Sequence, residues 1–412
     1  MLSKIIISIF LTLNVYVCWR THVQLQHAIA AYGNRQAMIL FPLTVYLLLT
    51  VMVFAGTFLP AGTLKYICQC AGNIWLGFLI FFGFLLLVTN IGLLFRSMGT
   101  GYRGTIHLGL LVAAAVLIVI YGCWNAQQVS IRQWKLTWAD GQFDVTESGK
   151  PVYDAEKVTE PSDAEGNYRI VLLGDLHMSV NSIPETMADM AEKVNALEPD
   201  VVLIAGDFFT SQAGGIPHPQ AFIDALSSMQ AKEGVYGVWG NHDVEEPLLC
   251  GFAMAPKENA YRSQEMIDFI DKCGITILED EMISLDHGRL QLIGRIDGEK
   301  PGLGKEERLS PEELAKKLSP DSGKPLLVLE HEPVEYQALD QIGSKLVFSG
   351  HTHNGQIFPG NLIIRFFNEN SYGFKKAGSA LTFVTAGVGY YGPPIRIGTH
   401  SEIAVLDLEK SW

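Results

Sequence analysis

The stretch Tyr168-Arg169-Ile170-Val171-Leu172-Leu173-Gly174-Asp175-Leu176-His177 decides how the larger part of this chain is read. A short apolar run rich in branched residues predicts a buried strand, and the polar tail Gly174-Asp175-Leu176-His177 begins where the strand stops. The same arrangement recurs four times downstream. The run Val201 to Ile204 leads into Gly206-Asp207, Val235 to Trp239 into Gly240-Asn241-His242-Asp243, Leu326 to Leu329 into Glu330-His331, and Leu346 to Ser349 into Gly350-His351-Thr352-His353. Helical stretches near Pro184 to Leu197 and Pro219 to Gln230 separate the first three strands, which predicts an α/β sheet built from βαβ units. Further strands are expected at Leu290 to Ile293, Thr382 to Val384 and Glu402 to Leu406. In such a sheet the carboxyl ends of the strands line the ligand crevice, so five loops distant in sequence converge on one site.

The residue types in those loops are metal ligands. Asp175 with His177, and His351 with His353, are separated by one residue, and in extended backbone such pairs point to one side. Glycine precedes the ligand candidate in four motifs and is read as the residue that lets the chain turn beside bound ions. Imidazole nitrogen mixed with carboxylate and amide oxygen suits Mn, Fe, Zn or a similar divalent ion, and does not suit calcium alone. Singly, each motif is no more than a cap or a turn. The histidine distribution raises them above that: of 11 histidines, His177, His242, His331, His351 and His353 fall in strand-end motifs. The other six, His22, His27, His107, His218, His287 and His400, are read as core or solvated side chains.

Charge divides the chain. No acidic residue occurs before Asp140, and the only fixed charges there are Lys4, Arg20, Arg35, Lys65, Arg96, Arg103, Arg132 and Lys135. Of 30 Lys and Arg, 22 therefore remain against 43 Asp and Glu, a formal charge of −21 from Asp140 onward. Such a domain repels nucleic acid, and it repels any phosphate unless bound cations invert the local field. Six cysteines, Cys18, Cys68, Cys70, Cys123, Cys250 and Cys273, are too scattered for a disulfide framework and leave the redox compartment open.

The basic third is also the apolar third. Its runs are Leu2 to Trp19, Met38 to Ala61, Ile74 to Phe95 and Ile106 to Trp124, and the last three clear the length needed to cross about 30 Å of hydrocarbon. The first, with Lys4 as its basic end, has no small-residue cleavage site after Cys18 and Trp19 and reads as an uncleaved helix. The expectation is an all-α transmembrane bundle of about four helices over residues 1–126. A connector follows over 127–166, with a first strand at Trp134 to Trp138, and then a soluble domain over 167–412. Arg20, Arg35, Arg96 and Arg103 on one side balance Lys4, Lys65, Arg132 and Lys135 on the other. Charges beside a long terminal domain weigh less than those in short loops, which tips the soluble domain outward. No internal repeat or low-complexity tract interrupts the chain.

In order and spacing, the motifs carrying Asp175 and His177, Asp207, Asn241 and His242, His331, and His351 and His353 resemble the calcineurin-like metallophosphoesterase superfamily, over roughly Tyr168 to Leu408. The stretches Gly350 to Ile357 and Gly389 to Gly398 are similar to the branch typified by the bacterial YkuE and YaeI phosphoesterases, which commonly carries a membrane anchor. Asn354 stands where that branch usually has glycine. The resemblance implies an α/β metallophosphoesterase domain, a layered β-sandwich flanked by helices, holding two divalent metal ions. It assigns Asp175, His177, Asp207 and His353 to one ion and Asp207, Asn241, His331 and His351 to the other, with Asp207 as the bridge. The implied reaction is hydrolysis of a phosphate ester or anhydride by in-line attack of hydroxide on phosphorus. His242 is left to hydrogen-bond the phosphoryl oxygen or protonate the leaving group. Asp243 is read as an orienter of that imidazole or as a solvated carboxylate, and Arg396 as a phosphate clamp or a structural ion pair.

The bundle would hold such a site at a bilayer, so a phosphorylated lipid or lipid-linked nucleotide is the expected partner, in a multi-pass protein of a bacterial plasma membrane. The alternatives are a cytoplasm-facing enzyme akin to UDP-2,3-diacylglucosamine diphosphatases, and a catalytically silent membrane sensor or scaffold.

Overall fold

A computed structural model describes residues 8, 10–23, 37–60, 62–95, 104–158, 167–249, 252–253, 260–302 and 307–409. Lys4, His27, Arg35, Arg96, Arg103 and Cys250 lie outside them. By contacts the chain divides into two units. One comprises Met1–Trp124 with two short excursions, Pro247–Met254 and Tyr391–Ile395; the other comprises Asn125–Glu246, Ala255–Tyr390 and Arg396–Trp412.

The first unit is helical: residues 10–23, Ala37–Phe58, Thr63–Phe95 and Gly104–Ala126. Its helices are apolar almost all round. Phe10, Val17, Val53, Leu79, Phe82, Leu86, Leu108 and Ala115 pack inside, while Leu48, Val51, Leu64, Leu110, Leu117 and Ile120 stand exposed on the outside. A helix with no polar face belongs in a buried or lipid environment. Two segments, Thr63–Ile91 and Leu108–Ala126, are long and apolar enough to cross a membrane, and the apolar stretch Pro42–Phe58 is shorter. Apart from Leu59 and Pro60, the four expected apolar runs thus fall on helical residues wherever they are described, and two of the helices are long and apolar enough to cross a membrane.

The second unit is built on two mixed sheets. The larger has the order β2-β1-β15-β3-β4-β5-β8, with β1 Val129–Ala139, β2 Gln142–Ser148, β3 Tyr168–Leu173, β4 Val201–Ile204, β5 Val235–Gly237, β8 Thr276–Ile277 and β15 Ser401–Glu409. The smaller runs β13-β14-β12-β11-β10-β9, with β9 Glu281–Leu285, β10 Leu290–Gly294, β11 Leu326–Leu329, β12 Ser344–Ser349, β13 Gly373–Ala377 and β14 Ala380–Val384. A separate two-stranded pair, β6 Leu248–Leu249 and β7 Phe252–Ala253, falls in the first unit's excursion. Strands β3, β4, β5 and β8 are parallel, as are β10, β11, β12 and β14. Parallel strands are covered on both faces, which is why they read as unbroken apolar runs.

Alternate residues of each strand serve two cores. Ile170 and Leu172 of β3, with Leu203 of β4 and Leu406 of β15, face the other sheet and pack with its Leu292, Leu327, Leu329, Phe348 and Phe383. Val171 and Leu173 face the helices Pro184–Ala196 and Pro219–Ser227, through Met187, Met190, Val194 and Phe222. On the outer face of the smaller sheet, helices Pro311–Leu318 and Tyr336–Gln341 cover Ile293, Val328 and Val347. The result is the expected sandwich flanked by helices.

The connector departs from expectation. Instead of a linker with one strand at Trp134 to Trp138, residues 129–148 supply both β1 and β2. β1 pairs parallel to β15 from Val129 to Thr137 and is as much a part of the sheet as β3.

Candidate metal centre

All five motifs leave the carboxyl ends of β3, β4, β5, β11 and β12, and their side chains meet. Asp207 Oδ2 lies 3.4 Å from His177 Nε2 and 3.2 Å from His331 Nε2. On one side of it His177 Nε2 is 2.9 Å from His353 Nε2, which is 3.7 Å from Asp175 Oδ1. On the other side His331 Nε2 is 3.0 Å from Asn241 Oδ1 and 3.2 Å from His351 Nδ1. Two groups, Asp175 with His177 and His353, and Asp175 with Asp207 and His331, present ligand atoms within 4.8 Å of one another. Asp175, His177, Asp207, Asn241, His331 and His353 are all buried. His351 and His353 diverge, one to each side, although their i, i+2 spacing suggested a shared direction.

The reason is backbone conformation. Asp175, His177, Asp207, His351 and His353 all sit at positive φ, between 44° and 71°, rather than in extended chain. Such conformations are uncommon for residues with a Cβ, cost free energy, and cluster at functional sites. The turns are thus made mostly by the ligands themselves. Of the four preceding glycines only Gly206 has positive φ. Gly240 and Gly350 serve close approach: a Cβ there would lie 2.2 Å from Asp207 Oδ1 and 2.8 Å from Asp175 Oδ2.

Backbone and side chains around the cluster aim its ligand atoms inward. His331 Nδ1 faces Ala205 O at 2.8 Å, which leaves Nε2 as the donor toward the centre. The Asn241 amide gives its NH2 to Glu299 Oε2 at 2.9 Å, turning Oδ1 inward. Asp175 accepts the His351 N–H, and Asp207 Oδ1 accepts the His242 N–H. Burial alone would raise the Asp207 carboxyl, but the imidazoles of His331 and His242 outweigh it and hold it well below its ordinary range. Burial pushes His177 down to about 3, keeping that ring neutral and free to ligate. Burial, reinforced by Asp207, raises Asp175 to about 7. Two pockets of mixed nitrogen and oxygen ligands around a desolvated carboxylate are a fit for a pair of divalent cations of the Mn, Fe or Zn type.

His242 differs from the others in being partly exposed, with its ring 5.5 Å from that of His177. Its Nδ1 is 3.6 Å from Glu246 Oε1, a buried carboxylate that Lys300 grips at 2.8 and 2.9 Å. Asp243, considered for that role from sequence, is instead a backbone brace: its two oxygens accept the N–H groups of Phe209 and Gly240.

Arg396 needs the same revision. It is fully buried, and its guanidinium donates to the carbonyls of Gly389, Ala386, Gly387 and His400, with Nη2 3.3 Å from His353 Nδ1. All its donors are spent on the protein, so it is a loop organiser and not an open phosphate clamp. Arg396→Met strands those carbonyls, and a loss of about 3 kcal/mol in stability is expected. It should be read as a lower melting temperature in detergent. A raised KM with unchanged melting would restore the clamp reading.

Residues 168–355 match the family model described as calcineurin-like phosphoesterase. An uncharacterized metallophosphoesterase of Helicobacter pylori strain J99 is 30% identical over 242 residues, which cover 58% of this chain and 59% of that protein. A Danio rerio protein named as a transmembrane protein with metallophosphoesterase domain is 30% identical over 257 residues, 59% of this chain and 53% of its own. The Bacillus subtilis metallophosphoesterase YkuE is 26% identical over 255 residues, 59% of this chain and 80% of its own. The chain thus spans somewhat more than half the length of the first two.

Proposed function

We propose, from the premise that residues 168–355 are a calcineurin-like phosphoesterase domain, that this chain is a membrane-anchored, metal-dependent phosphohydrolase. Its substrate is a phosphate ester or anhydride, carried on a lipid or presented close to one. The observation that carries the reading is Asp207 Oδ2, which lies 3.4 Å from the imidazole of His177 on one side and 3.2 Å from that of His331 on the other. Two divalent cations held by Asp175, His177, Asp207 and His353, and by Asp207, Asn241, His331 and His351, would polarise a phosphoryl group and acidify water. Those cations also answer the charge problem, because a domain of formal charge −21 otherwise repels its substrate.

The protein's own residues supply the rest. His242, at the exposed edge, is placed to hydrogen-bond a phosphoryl oxygen or hand a proton to the leaving group, with Glu246 behind it. Glu299 and Ala205 fix the ligand orientations of Asn241 and His331. The complete ligand set speaks against a silent scaffold. For the anchor we propose a multi-pass bundle of four helices in a bacterial plasma membrane with the catalytic domain outside. The two membrane-length helices and the name of the Danio rerio relative support anchoring.

Purification in detergent, metal analysis and turnover of bis-(p-nitrophenyl) phosphate test the reading. About two equivalents of transition metal and chelator-sensitive hydrolysis are expected; metal-free protein with chelator-resistant hydrolysis would end it.

A pH dependence follows. Burial would depress the His331 imidazole, but the Asp207 carboxylate outweighs burial and lifts it well above its ordinary value. In the cation-free centre His331 is therefore protonated, and a metal must displace that proton. Affinity falls as pH falls, by about tenfold per unit for one displaced proton. Competition titrations at pH 6 and pH 8, chosen to span about two units of that slope, check this, and equal affinities would contradict it.

A further inference from the structure

We propose that residues 358–367 are a docking element that inserts into a lipid surface beside the metal centre. Phe358, Leu362, Ile363, Phe366 and Phe367 are all exposed, the last two by 86% and 79%. Among described residues from 125 onward, the only other large apolar side chains so open are Val145, Tyr153, Tyr261 and Val334, scattered along the chain. Here five fall within ten residues. The segment is a short helix, Gly360–Ile363, running into a tighter turn, Ile364–Phe366. Residues three and four apart on such a turn are neighbours, so Leu362 and Ile363 share a face with Phe366 and Phe367. A contiguous exposed apolar patch marks an interaction site.

Composition and setting select a bilayer as the occupant. Arg365 is the one fixed charge between 346 and 368, a cation within an apolar and aromatic run, in a domain that is otherwise strongly acidic. Aromatic and aliphatic side chains with a flanking cation are what the headgroup boundary of an anionic membrane accepts. The same chain carries two helices long and apolar enough to cross a bilayer, which would keep a lipid surface permanently within reach of the domain.

The patch is coupled to the site by close packing. Gly355, two residues after His353, has φ of +75° and lies so near the start of the helix that a Cβ on it would be 2.3 Å from the Gly360 carbonyl carbon. The Phe358 N–H donates to Ile397 O at 2.9 Å. A lipid headgroup at the patch is thereby held next to the ligand loop of His351 and His353, which names the substrate class as a phosphorylated lipid. This rests on the phosphohydrolase reading above.

The test uses full-length protein in nanodiscs containing anionic lipid. Two diesters with one leaving group are compared, p-nitrophenyl hexadecyl phosphate in the bilayer and bis-(p-nitrophenyl) phosphate in water. Phe366→Ser combined with Phe367→Ser should lose about tenfold or more on the lipid diester while the soluble diester is unaffected, because only the first needs the inserted side chains. Equal loss on both, or loss on neither, overturns the proposal. A photo-crosslinking residue at position 366 gives a readout independent of catalysis. Adducts with lipid are expected, and adducts with protein alone would replace the bilayer by a protein partner and overturn it. Wild-type protein inert toward both diesters but still crosslinked to lipid would fault the phosphohydrolase reading and not this one.

Discussion

Asp207→Asn is expected to lower hydrolysis of bis-(p-nitrophenyl) phosphate by at least about a thousandfold, a loss of roughly 4 kcal/mol of transition-state stabilisation, and to remove both metals together. The substitution changes almost no volume. An amide Oδ1 can still accept the His242 N–H that Asp207 Oδ1 accepts at 2.9 Å, so the loop keeps its hydrogen bond. What disappears is the anionic oxygen that touches His177 on one side and His331 on the other. A neutral amide presents one carbonyl oxygen and an N–H group that repels a cation, and it cannot serve both pockets. Asn241, by contrast, turns its Oδ1 to His331 and His351 on one side, so its loss should empty one pocket first. Metal content by elemental analysis separates the two cases. If Asp207→Asn retained one tightly held metal and a tenth of the activity, the shared-carboxylate arrangement would be wrong.

The centre could be read from sequence because of where its ligands sit. Leu173, Ile204, Leu329 and Ser349 end strands buried on both faces, and an unbroken apolar run followed at once by Asp, His or Asn is a strong local contrast. Other features left no such contrast. β2 is a polar strand at the sheet's edge, and its sequence Gln142 to Ser148 looks like a loop. The positive φ of Asp175, His177, Asp207, His351 and His353 is invisible because none of them is glycine; periodicity arguments assume regular backbone, so the i, i+2 spacing of His351 and His353 does not give them a shared direction here. Glu299 braces Asn241 from 58 positions away on another loop, a contact that only the fold creates. Arg396 matched phosphate by chemistry alone, whereas burial spends its donors on carbonyls. The excursions Pro247–Met254 and Tyr391–Ile395, which group with the helices, break a division that the apolar runs drew near residue 126.

His242→Asn is expected to leave both metals bound and to slow catalysis by about a hundredfold to ten-thousandfold, the range for a lost general acid. His242 belongs to neither of the ligand groups found among the described residues. Its ring lies 5.5 Å from that of His177 and is partly open to solvent, where a departing oxygen would find it. A proton donor matters most when the leaving group is a poor one. The loss should therefore be small with p-nitrophenolate and large with an unactivated alkoxide, and an equal loss on both would assign His242 to phosphoryl binding alone. Glu246 extends the test. Its carboxylate is out of water, clamped by Lys300 and set 3.6 Å from His242 Nδ1, where it can orient the ring. Glu246→Gln keeps the shape and removes the charge, so it should reproduce the leaving-group dependence of His242→Asn in milder form with KM unchanged. Adding the two substitutions together should cost little more than His242→Asn alone, because a positioning carboxylate has nothing left to position once the imidazole is gone.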